Sequence, residues 1–222
     1  TQKITTIQRQ EKMTVIVKNP NATFIHIPKT GGVSISQWLT RNAKGSYLLS
    51  KSYGGKHADQ DRIQKYMRQK GIDMGFTFCT VRNPWDRLVS AYHYHKQKPS
   101  GNLTNVSFEK FIYREWENKK RQHWGCAEKQ MHKYYTNIDY ILRFENLNED
   151  FKRIQELVGC EKPLTKQNAS NHKDFRSYYT PEMVDFVAKI HAKDIELYGY
   201  TLEELQINII MADLFKQLEL EA

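Results

Sequence analysis

The sequence has no long apolar run, and this absence argues against a membrane-spanning helix. Of its 222 residues, 39% are hydrophobic and 27% are charged, and the mean hydropathy is −0.73. No run of about 18 or more apolar residues occurs, so we expect no membrane span. The first residues, TQKITTIQRQEK, also lack the apolar core of a signal peptide.

Cysteine is scarce, and the pattern of the few cysteines excludes two further classes. The chain has three, at positions 79, 126 and 160, and no CxxC pair. An odd number without that spacing argues against a disulfide framework and against a zinc site. We find no other cluster of metal-ligating residues and expect no bound metal. Cys79 lies in an apolar run, which predicts a core position.

Acidic residues are outnumbered by basic ones. The chain has 34 lysines and arginines against 25 aspartates and glutamates, a net charge of +9, and its isoelectric point is near 9.3. This excess predicts an anionic partner without identifying it.

Short β-rich runs alternate with longer helical patterns, which predicts one α/β domain with a parallel sheet covered by helices. We assign 1–21 to a lead-in, 22–200 to the domain and 201–222 to an amphipathic C-terminal helix. Strands are predicted at 22–27, 75–81 and 138–144. Helices are predicted from residue 32 and at 59–71, 83–96, 107–120, 148–159 and 180–199.

The segment HIPKTGGVS, residues 26–34, follows the first predicted strand and opens a helix. It is not a Walker A loop, because Lys29 precedes the glycines instead of following them. Its glycines allow a close approach to an anion, and the helix N-terminus adds N–H donors. Thr30 and Ser34 add hydroxyl groups. The alternative is a plain glycine turn with a solvated lysine.

A second anion motif, TVRNPWDRLVSAYHY, follows the second predicted strand. Ligands of parallel sheets bind at the carboxyl ends of strands, so we expect Arg82 near the first loop. Arg87 and Ser90 are three residues apart and share a helix face. The alternative for Arg82 is a structural ion pair with Asp86. Two anion motifs at neighbouring strand ends suit a ligand with two separated phosphates.

These motifs together resemble the sulfotransferases. FIHIPKTGGVSIS resembles their 5′-phosphosulfate loop, and CTVRNPWDRLVSAYHYH resembles their 3′-phosphate motif. DYILRFENLNEDF and HKDFRSYYTPEMVDFVAKIHAKDIELYGY resemble later segments of the Golgi-type carbohydrate sulfotransferases and their microbial relatives. The resemblance covers residues 22–200 and implies a P-loop-like three-layer sandwich, with a central parallel sheet flanked by helices.

The resemblance also implies a donor and residues that bind it. The donor is 3′-phosphoadenosine 5′-phosphosulfate (PAPS), which leaves as 3′-phosphoadenosine 5′-phosphate (PAP). Arg82 and Ser90 would hold the 3′-phosphate, and Lys173 would close over the nucleotide. Lys29 would also neutralise the bridging oxygen as the sulfur–oxygen bond breaks. The 5′-phosphosulfate would be held by Lys29, Thr30, Gly31, Gly32, Val33 and Ser34.

A hydroxyl acceptor must lose a proton, and histidine is the usual base near neutral pH. We predict His57, in the glycine-rich segment YGGKHADQD, because related sulfotransferases place a base in this region. His93, His95 and His123 are the alternatives. His26 lies in a strand and is expected to be structural. We also expect Arg143 and Glu145, in LRFENL, to form a buried ion pair.

The predicted function is therefore PAPS-dependent sulfotransfer to a hydroxyl, with a carbohydrate as the expected acceptor. The basic run at 117–124 could hold an anionic glycan. The alternatives are a nucleic-acid-binding module, which explains only the charge, and a nucleotide kinase, which the missing Walker A order disfavours. We expect a cytoplasmic enzyme if the chain is microbial, and a Golgi-lumen enzyme if a membrane anchor has been removed.

Overall fold

The computed structural model describes residues 14–49, 58–97, 105–117, 129–165 and 172–201. They divide into two compact units. The sheet unit contains the described residues up to Arg82 and from Met131 to 165. The helical unit contains those from Asn83 to Gln130 and from 172 onward. The predicted domain boundaries after residues 21 and 200 stay predictions.

A mixed sheet runs through the sheet unit. Its described strands are β1 (Val15–Val17), β2 (Ala22–Ile25), β3 (Tyr47–Leu48), β4 (Phe76–Val81) and β5 (Tyr140–Arg143). Their order is β3-β1-β2-β4-β5. The pairs β2–β4 and β4–β5 are parallel, whereas β1 is antiparallel to both of its neighbours. The carboxyl ends of β2, β4 and β5 therefore lie at one edge of the sheet.

The α/β class is confirmed, and the strands predicted from the sequence are the parallel ones. Strands β1 and β3 were not predicted, and β1 falls inside the stretch 1–21 that we assigned to a lead-in. Its three residues are fully buried, and Val15 pairs with Phe24 of β2. So short a run has too few residues for its periodicity to distinguish it from a loop.

The helices, in chain order, are α1 (Gly32–Asn42), α2 (Gln60–Gln69), α3 (Pro84–Lys96), α4 (Phe108–Glu117), α5 (Leu147–Asp150), α6 (Lys152–Val158), α7 (Pro181–Ile190) and α8 (Ala192–Tyr198). Asp59, Asn83 and Thr180 cap the N-termini of α2, α3 and α7 with their side chains. The helix predicted at 180–199 is interrupted at His191, whose buried ring lies 3.5 Å from the carboxylate of Asp194.

Aromatic and aliphatic side chains form the core of the sheet unit on one face of the sheet. Phe24, Phe78 and Leu142 belong to neighbouring strands and share a cluster with residues of α1 and α6. Trp38 of α1 meets Phe151 edge-on, with ring centroids 4.9 Å apart. Burying each such side chain contributes about 1.5–3 kcal/mol. This packing holds α1 against the strand that precedes it.

The helical unit has its own core around α3. The indole Nε1 of Trp85 donates to the carbonyl of Val184 at 3.2 Å. The hydroxyl of Tyr179 donates to the carbonyl of Trp85 at 2.8 Å. Burial, and secondarily the charge of Asp86, raise the pKa of Tyr179, so this hydroxyl keeps its proton. In the part of the chain that the structure describes, no helix is both long and apolar enough to cross a bilayer.

Candidate anion-binding site

The loop after β2 turns sharply before α1 begins at Gly32. Lys29 has a positive φ of 68°, and Gly31, the residue before the helix, has a φ of 85°. A left-handed conformation costs an L-residue about 1–2 kcal/mol, so Lys29 needs support from its surroundings. The N–H of Ser34 donates to the carbonyl of Gly31 at 3.1 Å and closes the turn.

Both glycines of the loop are packed against rings. A Cβ atom on Gly32 would overlap the imidazole ring of His26, which is itself buried. A Cβ atom on Gly31 would come 3.0 Å from Cδ2 of Phe144. At Gly32 the backbone therefore lies closer to its neighbour than a residue with a Cβ would allow, and at Gly31 the contact is merely tight.

The N-terminus of α1 is suited to an anion. No side chain caps this helix, and its first turn contains no acidic residue. Backbone N–H groups and the positive end of the helix dipole favour a negative charge at such a position. The ammonium-bearing Lys29 is half-buried beside it. The loop thus fits a phosphate or a sulfate group.

The hydroxyl-bearing residues of the loop are buried. Thr30 donates its hydroxyl proton to the carbonyl of Ile27 at 2.9 Å, so its side chain braces the turn from within. Ser34 lies in the first turn of α1 and is also buried. Val33, between Gly32 and Ser34, is half-buried. The predicted roles of these residues toward a 5′-phosphosulfate stay predictions.

Arg82 comes directly after β4 and lies next to this loop within the sheet unit. Its Nη1 donates to the carbonyl of Lys29 at 3.2 Å. Its guanidinium carbon lies 4.0 Å from the ring centroid of Phe144. Only 7% of the residue is exposed. The sequence therefore placed Arg82 near the first loop correctly, and the structure adds a direct bond to its backbone.

Phe144 was missed by the sequence analysis, which considered its two neighbours. Arg143 and Glu145 are both exposed, so the expectation of a buried ion pair is wrong. The turn Phe144–Asn146 follows β5, and within it the ring of Phe144 contacts Arg82 and lies against Gly31. Its position in the sequence could have revealed it, because residue 144 follows a parallel strand that ends at the same sheet edge as the loop and Arg82.

In the helical unit, Ser90 lies on α3 and is buried, while Lys173 is exposed. Their predicted roles toward the nucleotide stay predictions. Arg87, on the same helix as Ser90, is fully buried and donates to the carbonyl of Lys129 at 3.1 Å. Arg87 is thus used inside the unit, where it fixes the chain near Gln130.

The histidines considered as bases fall into two groups. His57 and His123 lie outside the described residues. His95 is buried, and His93 lies within 2.8 Å of the Tyr178 hydroxyl through Nε2. The rings of His93 and His172 stack at 5.1 Å. Burial, followed by the charges of His172 and Lys96, lowers the pKa of His93.

The described residues contain no group of three or more His, Cys, Asp or Glu side chains that could share a metal ion. Burial raises the pKa of the Cys79 thiol, as expected for a core cysteine.

Comparison with known proteins agrees with this geometry. Residues 12–201 match the model of the sulfotransferase family. A protein of Archaeoglobus fulgidus described as uncharacterized is 28% identical over 102 residues, which cover 46% of this chain and 82% of that protein.

Two solved structures are also similar. Mouse sulfotransferase SULT7A1, complexed with PAP, superposes with a TM-score of 0.50 at 15% identity, over 78% of this chain and 82% of that one. A sulfotransferase from Alicyclobacillus acidocaldarius has a TM-score of 0.38 at 17% identity, over 65% and 62% of the two chains. At such low identity, the mouse structure supports the fold alone.

Proposed function

Because the chain belongs to the sulfotransferase family, we propose that it transfers the sulfuryl group of PAPS to a hydroxyl group of a carbohydrate. The observation that carries the proposal is the loop between β2 and α1. Its helix N-terminus has neither a side-chain cap nor an acid in its first turn, and Lys29 stands beside it. Such a loop suits the 5′-phosphosulfate of a nucleotide that carries anionic groups at both its 5′ and its 3′ positions.

The sheet unit offers one cationic side chain for each of the two anionic groups of that nucleotide. Lys29 and the first turn of α1 would hold the 5′-phosphosulfate. Arg82, at the end of β4, would contact the 3′-phosphate with its guanidinium group, which suits phosphate oxygens. The mouse sulfotransferase was solved with PAP, and we carry that nucleotide over to this chain as part of the proposal, on the ground of the shared family.

Bound PAPS supplies an electrophilic sulfur, which an acceptor oxygen attacks while the bond to the 5′-phosphate oxygen breaks and PAP leaves. Lys29 would neutralise the charge that grows on that phosphate oxygen. The hydroxyl proton would pass to a histidine, for which we propose His57. Positioning and electrostatics thus account for most of the rate enhancement, as in phosphoryl transfer.

The carbohydrate acceptor is the finer part of the proposal. It is supported by the resemblance of residues 139–151 and 172–200 to the Golgi-type enzymes. It is also supported by the net charge of +9, which would favour a glycan that already carries carboxylates or sulfates.

The test has two stages. Thermal unfolding is first measured with PAP, ATP and a short oligonucleotide, and PAP alone should raise the midpoint strongly. Transfer of radiolabelled sulfate from PAPS is then measured on neutral and anionic glycans and on small phenols. Stabilisation by the oligonucleotide in place of PAP would overturn the proposal. Transfer to phenols alone would leave sulfotransfer standing and remove the carbohydrate.

A further inference from the structure

One aromatic side chain contacts two parts of the candidate site in the sheet unit. The Phe144 ring lies under the guanidinium group of Arg82, 4.0 Å from centroid to carbon. The edge of the same ring lies 3.0 Å and 3.2 Å from where a Cβ of Gly31 would be. Phe144 therefore packs against the arginine proposed for the 3′-phosphate and against the loop proposed for the 5′-phosphosulfate.

Arg82, which lies over the Phe144 ring, also contacts the loop that follows β2. Its Nη1 donates to the carbonyl of Lys29, the residue with a positive φ of 68°. A guanidinium group over an aromatic face is attracted by the ring quadrupole, which restricts where the group can move. Its N–H groups then point in set directions, one of them toward Lys29.

We propose that Phe144 is a positioning residue that couples recognition of the 3′-phosphate to the conformation of the 5′ loop. Its ring orients Arg82, and Arg82 in turn holds the backbone of Lys29 in its left-handed conformation. The inference rests on the proposed function, because it assigns Arg82 and the loop to the same nucleotide. It assigns Phe144 no direct contact with the reacting atoms.

The substitution Phe144→Leu removes the aromatic face and keeps an apolar side chain, while Phe144→Tyr keeps the face. By calorimetry, F144L should bind PAP about 3- to 30-fold more weakly, the range expected for losing a cation–π contact. F144Y should bind PAP no more weakly than the unmodified chain. In an Arg82→Ala background, adding F144L should change PAP affinity by less than about twofold, because its effect passes through Arg82.

Phe76→Leu is a matched control within the same unit. Phe76 begins β4, is half-buried, and lies under the guanidinium group of Arg153 at 5.6 Å. The F76L variant therefore removes a weaker contact of the same kind at the opposite end of the strand that precedes Arg82, while Arg153 stays over the Tyr140 ring at 4.6 Å. F76L should lower the unfolding midpoint about as much as F144L and leave PAP affinity unchanged.

The outcomes separate the two proposals. If the unmodified chain binds PAP but F144L binds it equally well, or the losses of F144L and R82A simply add, the role of Phe144 is overturned and sulfotransfer stands. If the unmodified chain does not bind PAP, the proposed function falls and this inference falls with it. Should F144L not fold, Phe144→Met removes the face with a more adaptable side chain and is held to the same outcomes.

Discussion

The imidazole ring of His26 occupies the space that a Cβ atom of Gly32 would need. His26 follows β2 directly and is buried, with its ring edge-on to Phe24 at 6.2 Å between centroids. It cannot move aside cheaply, because the sheet unit packs its core around Phe24. Gly32 is therefore required by packing, whereas Gly31 is required by its backbone conformation as well.

We predict that Gly32→Ala destabilises the protein by about 1–3 kcal/mol, the usual cost of inserting a methyl group into a packed site. The double variant Gly32→Ala/His26→Ala should recover part of that loss, because the ring no longer opposes the methyl group. Urea unfolding of the two single variants and the double variant measures the coupling. Strictly additive losses would show that the two positions do not compete for space.

The lysine of the loop has two separable roles, one chemical and one conformational. Lys29→Ala should lower turnover at saturating PAPS by about 10²–10³-fold, as for loss of one preorganised electrostatic donor, with a smaller loss of PAP affinity. Lys44→Ala removes an exposed charge just beyond the other end of α1 and should change neither quantity. Full turnover by Lys29→Ala, with only PAP affinity reduced, would contradict the chemical role.

The conformational role is tested by comparing two substitutions at position 29. Since its φ is positive, Lys29→Gly should be more stable than Lys29→Ala by about 1 kcal/mol, because alanine keeps the left-handed strain and glycine removes it. Both variants lack the charge, so a difference in urea midpoint reports the backbone alone. Equal midpoints would mean that the loop relaxes to another conformation in the alanine variant.

The stacked histidines of the helical unit predict an acid-sensitive contact. The pKa of His93 is lowered from 6.5, first by burial and then by the charges of His172 and Lys96, and its Nε2 faces the Tyr178 hydroxyl. The unfolded chain therefore takes up this proton at a higher pH than the folded one. The contribution of His93 to stability is full above pH 6.5 and falls as pH drops through the lower, folded-state value.

NMR titration checks this assignment directly. Replacing His172 with glutamine should raise the pKa of His93 toward its ordinary value, because one of the like charges is removed. The substitution His93→Gln should flatten the part of the stability loss that the unmodified chain shows as the pH falls below 6.5. An unchanged His93 titration in the His172 variant would assign the lowered pKa to burial and to the charge of Lys96.

For the proposed base, His57→Ala should reduce transfer by about 10²–10⁴-fold while PAP still raises the unfolding midpoint. The acid limb of the rate profile, expected near the unperturbed histidine pKa of about 6.5, should disappear. Near-normal turnover with that limb intact would move the role to His93, His95 or His123. A loss of the PAP-induced shift would show that residue 57 belongs to the nucleotide site instead.

Much of the fold could be predicted because its parallel strands are long enough to be recognised by their β-prone residues. Phe76–Val81 is a run of six β-branched, aromatic and apolar residues, and Pro84 marks the start of α3. The strand Val15–Val17 could not be predicted, because three apolar residues are compatible with several structures. Likewise, the local pattern at 180–199 is helical throughout, and only the burial of His191 beside Asp194 accompanies the interruption.

The order of the motifs, and with it the candidate site, follows from the amino-acid sequence. A lysine before two glycines, between a strand and a helix, predicts an anion loop, since backbone N–H groups and helix dipoles are local properties. The arginine after the next parallel strand had to lie at the same sheet edge, because parallel strands end together.

Which side chains support that site depends instead on how the segments pack together. The ring of His26 against Gly32 and the ring of Phe144 against Gly31 and Arg82 are contacts between segments that come together when the sheet packs. Side-chain packing depends on shape at sub-ångström precision, which no composition or spacing records. The sequence therefore identified the groups that can bind an anion, while packing determined how rigidly the loop and its arginine are held.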